Sequence, residues 1–182
     1  MRFKSIPAAL AVAAALCGCV SPVPYNDLVS KSATYQDLDA QLKPRVAADR
    51  MQLEQLQNLV RVTLADGLLF PEGSAKLDEA GKAMLVRLAP ALKDLSGQRI
   101  VIKGFTDNVP TGPTLRERLA GNVELSKARA DAVAGALEAQ GVSAALIATV
   151  GLGETHAAAS NATAAGRARN RRVEIDVVEA PA

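Results

Sequence analysis

The chain of 182 residues has no tryptophan, a single histidine, two cysteines and aromatic side chains at 3% of positions. Each scarcity removes a class of function. Lectins that stack sugars need aromatic platforms, and beyond Phe3 the chain offers Tyr25, Tyr35, Phe70 and Phe105. A hydrolase needs a metal set, a nucleophile with its base, or two facing carboxylates. His156 alone and no spare thiol exclude most of these, so neither an enzyme nor a bound metal or cofactor is expected. Cys17 and Cys19 both fall in the N-terminal segment, which leaves the body of the chain without a disulfide or thiolate metal site. No apolar run is long enough to cross a bilayer. The best, Ile6 to Leu16, falls short of the roughly 20 residues that a hydrocarbon core requires. One-signed charge is missing as well. Without Arg2 and Lys4 the 21 basic side chains drop to parity with the 19 acidic ones, and nucleic acid is a poor partner for a chain with no basic excess.

What is present begins with an export signal: Arg2 and Lys4, then the short apolar run, then Leu16-Cys17-Gly18-Cys19. A leucine, a small residue and a glycine before a cysteine resemble the lipobox of bacterial lipoproteins, in which the cysteine is acylated and becomes the mature first residue. Cys19 fits that role better than Cys17, since bulky Leu16 stands where a small residue is wanted before the cut. Val20 follows, not the aspartate that retains some such proteins at the inner membrane. The resemblance therefore implies a lipid anchor in the inner leaflet of the outer membrane, facing the periplasm. Residues 1–18 are expected to be a signal peptide and 19–59 a lipidated, partly helical tether. Ser21-Pro22-Val23-Pro24 is extended, because proline lacks an amide and constrains the residue before it. Leu38 and Leu42, then Leu53, Leu56 and Val60, recur at three- and four-residue steps and predict two amphipathic helical pieces interrupted near Pro44.

From Arg61 the pattern alternates between strands and helices. Arg61 to Leu64 reads as a strand that continues through Leu68 to Phe70 toward a turn at Pro71-Glu72-Gly73-Ser74. Ala80, Met84, Leu85, Leu88, Ala91, Leu92 and Leu95 predict a helix over 78–95, closed by Gly97. Strands are predicted at 98–105, 146–150 and 172–178, and a second helix at 123–140, stopped by Gly141. A loop rich in Pro, Gly and Thr spans 108–121, and a small-residue loop spans 151–166. The sum is an α/β (α+β) fold, a two-layer sandwich of a mixed four-stranded sheet with helices on one face. It occupies 60–179 and leaves a tail at 180–182.

Several stretches carry a resemblance: Gly104-Phe105-Thr106-Asp107-Asn108, Asn122, Leu125-Ser126-Lys127-Ala128-Arg129-Ala130, Gly151-Leu152-Gly153-Glu154, and Asn161, Thr163, Gly166-Arg167 and Asn170-Arg171-Arg172-Val173-Glu174-Ile175. In this order and spacing they resemble the OmpA-like C-terminal domain, the family of peptidoglycan-associated lipoproteins and flagellar stator proteins. Asn108-Val109-Pro110 and the loop after it resemble the stator branch. The chain departs from the pattern at Pro71, where many members carry aspartate, and at Ala157, where proline is usual.

On the second helix Arg129 shares a stripe with Leu125, Ala132, Val133 and Ala136, away from Lys127 and Asp131. A charge on a packing face wants a partner, and Asp107, past the end of a strand, is the natural one. The two either bridge each other or hold a ligand. The resemblance implies the second. The family binds the stem peptide of peptidoglycan at the free end of meso-diaminopimelate, where one carbon bears an ammonium and a carboxylate. Asp107 would take the ammonium and Arg129 the carboxylate, with Asn122, Thr106, Asn108 and Leu125 around them.

The remaining motifs read as structure. His156 is a solvated loop residue, the Arg167, Arg169, Arg171, Arg172 run pairs with glutamate and carbonyls, and Asn161-Ala162-Thr163 caps a short helix near Gly166. The partners expected are peptidoglycan, the membrane through the N-terminal lipid, and other envelope proteins. An alternative reading is an envelope adaptor that works through the tether helices.

Overall fold

The computed structural model describes residues 59–93, 95, 97–112 and 119–179, together with the backbone of 51–56. The expected signal, Cys19, the expected tether up to residue 50, loop residues 113–118 and the tail at 180–182 lie outside the described residues.

The described chain runs β1 (Met51–Leu56), β2 (Leu59–Ala65), α1 (Asp66–Leu69), α2 (Glu79–Leu88), α3 (Pro90–Lys93), β3 (Gln98–Phe105), α4 (Asn122–Ala139), β4 (Ile147–Gly151), α5 (Ala164–Asn170) and β5 (Arg172–Glu179). The four expected strands form one mixed sheet, antiparallel except where β3 and β4 run parallel. β1 adds a fifth, giving the order β1-β2-β5-β3-β4.

Two element readings are corrected. Leu53 and Leu56 lie on a strand, not a helix: β1 pairs with β2 from Met51↔Leu64 to Leu56↔Leu59. Leucines three residues apart were a weak helical signal, and the open edge of β2 offered backbone hydrogen bonds that outweighed it. The alternation in Met51-Gln52-Leu53-Glu54 was the better guide. Leu68 likewise does not continue β2. The chain turns into α1 at Asp66, whose amide donates to the Arg171 carbonyl at 3.0 Å, and only Phe70 returns to extended backbone.

The helix expected over 78–95 is split. Asp78 caps it, its side chain accepting from the Gly81 amide at 2.7 Å. Pro90 breaks it, because proline has no amide to donate back, and starts α3 where that amide is not needed.

Alternation along the strands sorts the faces. Val60, Val62, Leu64, Ile100, Ile102, Val173, Ile175 and Val177 are each at most 5% exposed and pack under Leu85, Leu88, Val133 and Leu137 of the helices. The opposite face carries a charge ladder. Arg61 donates from Nε and Nη2 to the Asp176 carboxylate at 2.7 and 2.8 Å, and Lys103 Nζ reaches the same group at 2.8 Å. Burial opposes the charge on Asp176, but those two cations more than offset it and hold its carboxyl below the ordinary range.

Two glycines set α4 over the sheet. Gly104 of β3 and Gly151 of β4 are paired in register, and both lie against the first turns of α4. A Cβ on Gly104 would fall inside contact distance of the Ser126 carbonyl, and one on Gly151 would meet the Val123 carbonyl at 2.5 Å. The helix therefore starts directly above the C-terminal ends of these strands.

Candidate functional site

That arrangement brings α4, the end of β3 and the start of α1 around a cavity of about 530 Å³. Of the residues expected at a binding site, Thr106, Asp107, Asn122, Leu125 and Arg129 line it. Asn108 is exposed and lies outside the lining. Asp66, Phe70, Val109, Thr111, Arg167 and Arg171 complete much of the wall. Asp66 carried no local signal, falling inside the stretch read as a continuing strand, and Arg171 was grouped with structural arginines.

Asp107 follows β3 and is 6% exposed. Its Oδ1 accepts from the Val109 amide at 3.0 Å, a local turn that aims the carboxylate inward. Its Oδ2 accepts from Arg171 Nη1 at 2.6 Å. Arg129 is 3% exposed, as its stripe on α4 predicts, while Lys127 and Asp131 pair on the wet face at 2.6 Å. The partner of Arg129 corrects the sequence reading. Nη1 sits 3.1 Å from Asp66 Oδ1, Nε donates to the Ser74 carbonyl at 2.9 Å, and the guanidinium lies 5.3 Å over the Phe70 ring. Asp107 and Arg129 thus belong to separate ion pairs in one wall. Helical periodicity identified the face of Arg129; which carboxylate reaches it depends on where β2 delivers Asp66.

The four charges feel one another. Burial raises the Asp66 carboxyl above its usual value despite the opposing pull of Arg129 and Arg171. Burial also lowers Arg129, against the support of Asp66. Arg129 Nη2 takes part in none of these contacts.

Asn122, at the start of α4, ties the rim together. Its Nδ2 donates to the carbonyls of Asp107 and Val109, each at 3.3 Å, and stands 3.4 Å from Glu154 Oε2. Thr106 has its backbone amide bonded to the Gly153 carbonyl at 2.8 Å, but its buried hydroxyl has no partner among the described residues. A buried hydroxyl without a partner is costly.

The far side rests on Asn170, fully buried, whose amide brackets Ala159 with two 2.8 Å bonds and reaches Asn161 Oδ1 at 2.7 Å. Thr163 caps α5 through the Gly166 amide at 3.0 Å, so the capping role read from Asn161-Ala162-Thr163 falls to its last residue. Arg172 pairs with Glu174 at 2.7 Å and stacks 3.7 Å over Phe105, and His156 is exposed. Among the described residues no group of three His, Cys, Asp or Glu is placed to hold a metal ion. The arrangement offers opposed, fixed charges and hydrogen-bonding groups, suited to holding a small zwitterionic group.

Comparison with known proteins agrees with this geometry. Residues 69–171 match the model of the OmpA family. Probable lipoprotein YiaD of Escherichia coli is 36% identical over 142 residues, which cover 78% of this chain and 62% of that protein. Peptidoglycan-binding protein ArfA of Mycobacterium bovis is 43% identical over 122 residues, 67% of this chain and 35% of that one. The chain thus spans less than two thirds of the length of either relative. Among solved structures, the cell wall anchor of the T6SS from Pseudomonas aeruginosa superposes with a TM-score of 0.70 at 37% identity, covering 78% of this chain and 96% of that one. Because that family match spans residues 69–171, more than half of the chain, the chain belongs to the OmpA family.

Proposed function

We propose that this domain grips peptidoglycan without cutting it, and that a lipid on Cys19 ties it to the inner leaflet of the outer membrane. The observation that carries the reading is the pair of nearly buried opposite charges, Asp107 and Arg129, in the wall of one cavity. A diaminopimelate end puts its ammonium on Asp107 and its carboxylate on the unused edge of Arg129. Leu125 and Val109 supply apolar wall to the carbon chain, and Asn122 holds the Asp107 loop. Charge-assisted bonds contribute about 1.5 to 3 kcal/mol each, so the grip is reversible. The names of ArfA and of the cell wall anchor support the ligand class, and the name of YiaD supports the lipid.

Sedimentation of the full chain with purified peptidoglycan tests this. Wild type should pellet; Asp107→Ala and Arg129→Lys should stay largely in the supernatant, the second because an ammonium lacks the planar fork that meets a carboxylate. If both variants fold and pellet like wild type, the cavity is not the wall site. An adaptor working through the tether would leave wild type itself in the supernatant.

A further inference from the structure

The arginine run near the C-terminus splits in the structure. Arg172 is spent on Glu174 and Phe105, and Arg169 is exposed, but Arg167 and Arg171 both line the cavity. They are four residues apart, at and just past the last turns of α5, and the Arg171 amide donates to the Arg167 carbonyl at 3.0 Å, which puts them on one side of the helix. Neither guanidinium is used up. Arg171 bonds Asp107 through Nη1 alone, and its side chain is 40% exposed. Arg167 spends Nη1 on the Asn161 carbonyl at 2.9 Å and has no carboxylate partner among the described residues.

The position of Arg171 raises a question for a ligand that delivers an ammonium to Asp107. A guanidinium already holds Oδ2 at 2.6 Å, so the incoming cation meets a like charge. The conflict disappears if the ligand also carries an anion to Arg171, since that arginine can then swing from Asp107 and remain paired. Arg167, one turn earlier, would take the other oxygen of the same anion. Building on the proposed stem-peptide reading, we propose that Arg167 and Arg171 form a second carboxylate-binding point, so that the cavity recognises a zwitterionic end together with a further carboxylate of the same peptide. The chemical class is a short peptide with one ammonium and at least two carboxylates, net anionic at that end. A stem whose other carboxylates are amidated lacks the second contact.

Calorimetric titration of the full chain with two synthetic tripeptides tests it: N-acetyl-L-Ala-γ-D-Glu-meso-diaminopimelate, whose one ammonium is at the free end of the diaminopimelate, and the same peptide with every carboxylate amidated except the one that shares a carbon with that ammonium. Wild type should bind the free acid about tenfold more tightly, the share of one charge-assisted contact. In Arg167→Gln and in Arg171→Gln the ratio should fall toward one, and Arg171→Lys should keep part of it. Circular dichroism establishes that each variant is folded. Equal binding of the two peptides by wild type, or an undiminished ratio in both glutamine variants, overturns the second carboxylate point while leaving the zwitterion site standing. Failure of wild type to bind either peptide overturns the stem-peptide reading, and this inference with it.

Discussion

Replacing Arg129 with alanine strips the positive charge from a wall where Asp66, 7% exposed, depends on it. Breaking one side of a buried ion pair costs about 3 to 5 kcal/mol, because the remaining charge stays buried without compensation. Loss of the Phe70 contact adds about 0.5 to 1 kcal/mol. For a fold of this size that corresponds to a fall of about 10 to 20 °C in Tm at pH 7. The sign of the pH dependence follows from Asp66. Its carboxyl is raised in the folded state by burial, against the attraction of Arg129, and losing Arg129 raises it further. A raised carboxyl binds its proton more readily folded than unfolded, so its cost is absent below the unfolded value and grows as pH climbs through the interval up to the folded one. The gap in Tm between variant and wild type should therefore narrow as pH is lowered from 7 toward the range where an unfolded carboxylate takes up its proton. Differential scanning calorimetry at four pH values reads both numbers. The double variant Asp66→Asn, Arg129→Met, with no charge left to strand, should recover at least half of the loss. A variant that melts within about 3 °C of wild type at pH 7, with a gap indifferent to pH, would refute the argument.

Four further outcomes are expected. Gly104→Ala should lower Tm by more than 10 °C or prevent folding, because its methyl group would displace the Ser126 carbonyl and lift α4 from β3; thermal melting by circular dichroism checks it. Asp176, with its carboxyl held low chiefly by Arg61 and Lys103 against burial, contributes stability that is present above the unfolded carboxyl value and is lost as pH falls below it. Asp176→Asn should flatten that acid limb in urea titrations between pH 5 and pH 2. A fragment from Met51 to Ala182 should unfold in one cooperative transition, and one from Val60 should do so at lower temperature, since it lacks the six backbone pairs of β1. Mass spectrometry of the mature N-terminal peptide should find Cys19 acylated, and Cys19→Ala should leave the membrane fraction.

The strand at 98–105 and the helix starting near 122 were legible because each has one buried and one wet face, and a period of 2 or 3.6 reports faces directly. The same logic identified Arg129 as inward and Lys127 as outward. It failed at Leu53 and Leu56, where two leucines fit either period and only the open edge of β2 decides. It failed again at the ion pairs. Asp66 meets Arg129, and Arg171 meets Asp107, through strands distant in sequence, and no local pattern encodes which of several carboxylates arrives within 3.1 Å of a given guanidinium. The oppositely charged wall was thus readable as a set of residues, but not as a pairing.

The order of the sheet bears on how the chain reaches its folded state. β5, the last described strand, lies between the β1–β2 hairpin and the parallel pair of β3 and β4, and its Asp176 is bonded to Arg61 across 115 residues. Until residues 172–179 arrive, the sheet exists only as two unconnected halves, each with an apolar face open to water. Such long-range closure is slow, since the entropy of the loop must be lost before the contacts form. A chain that emerges N-terminus first would therefore complete this sheet only once residues 172–179 were free to pair.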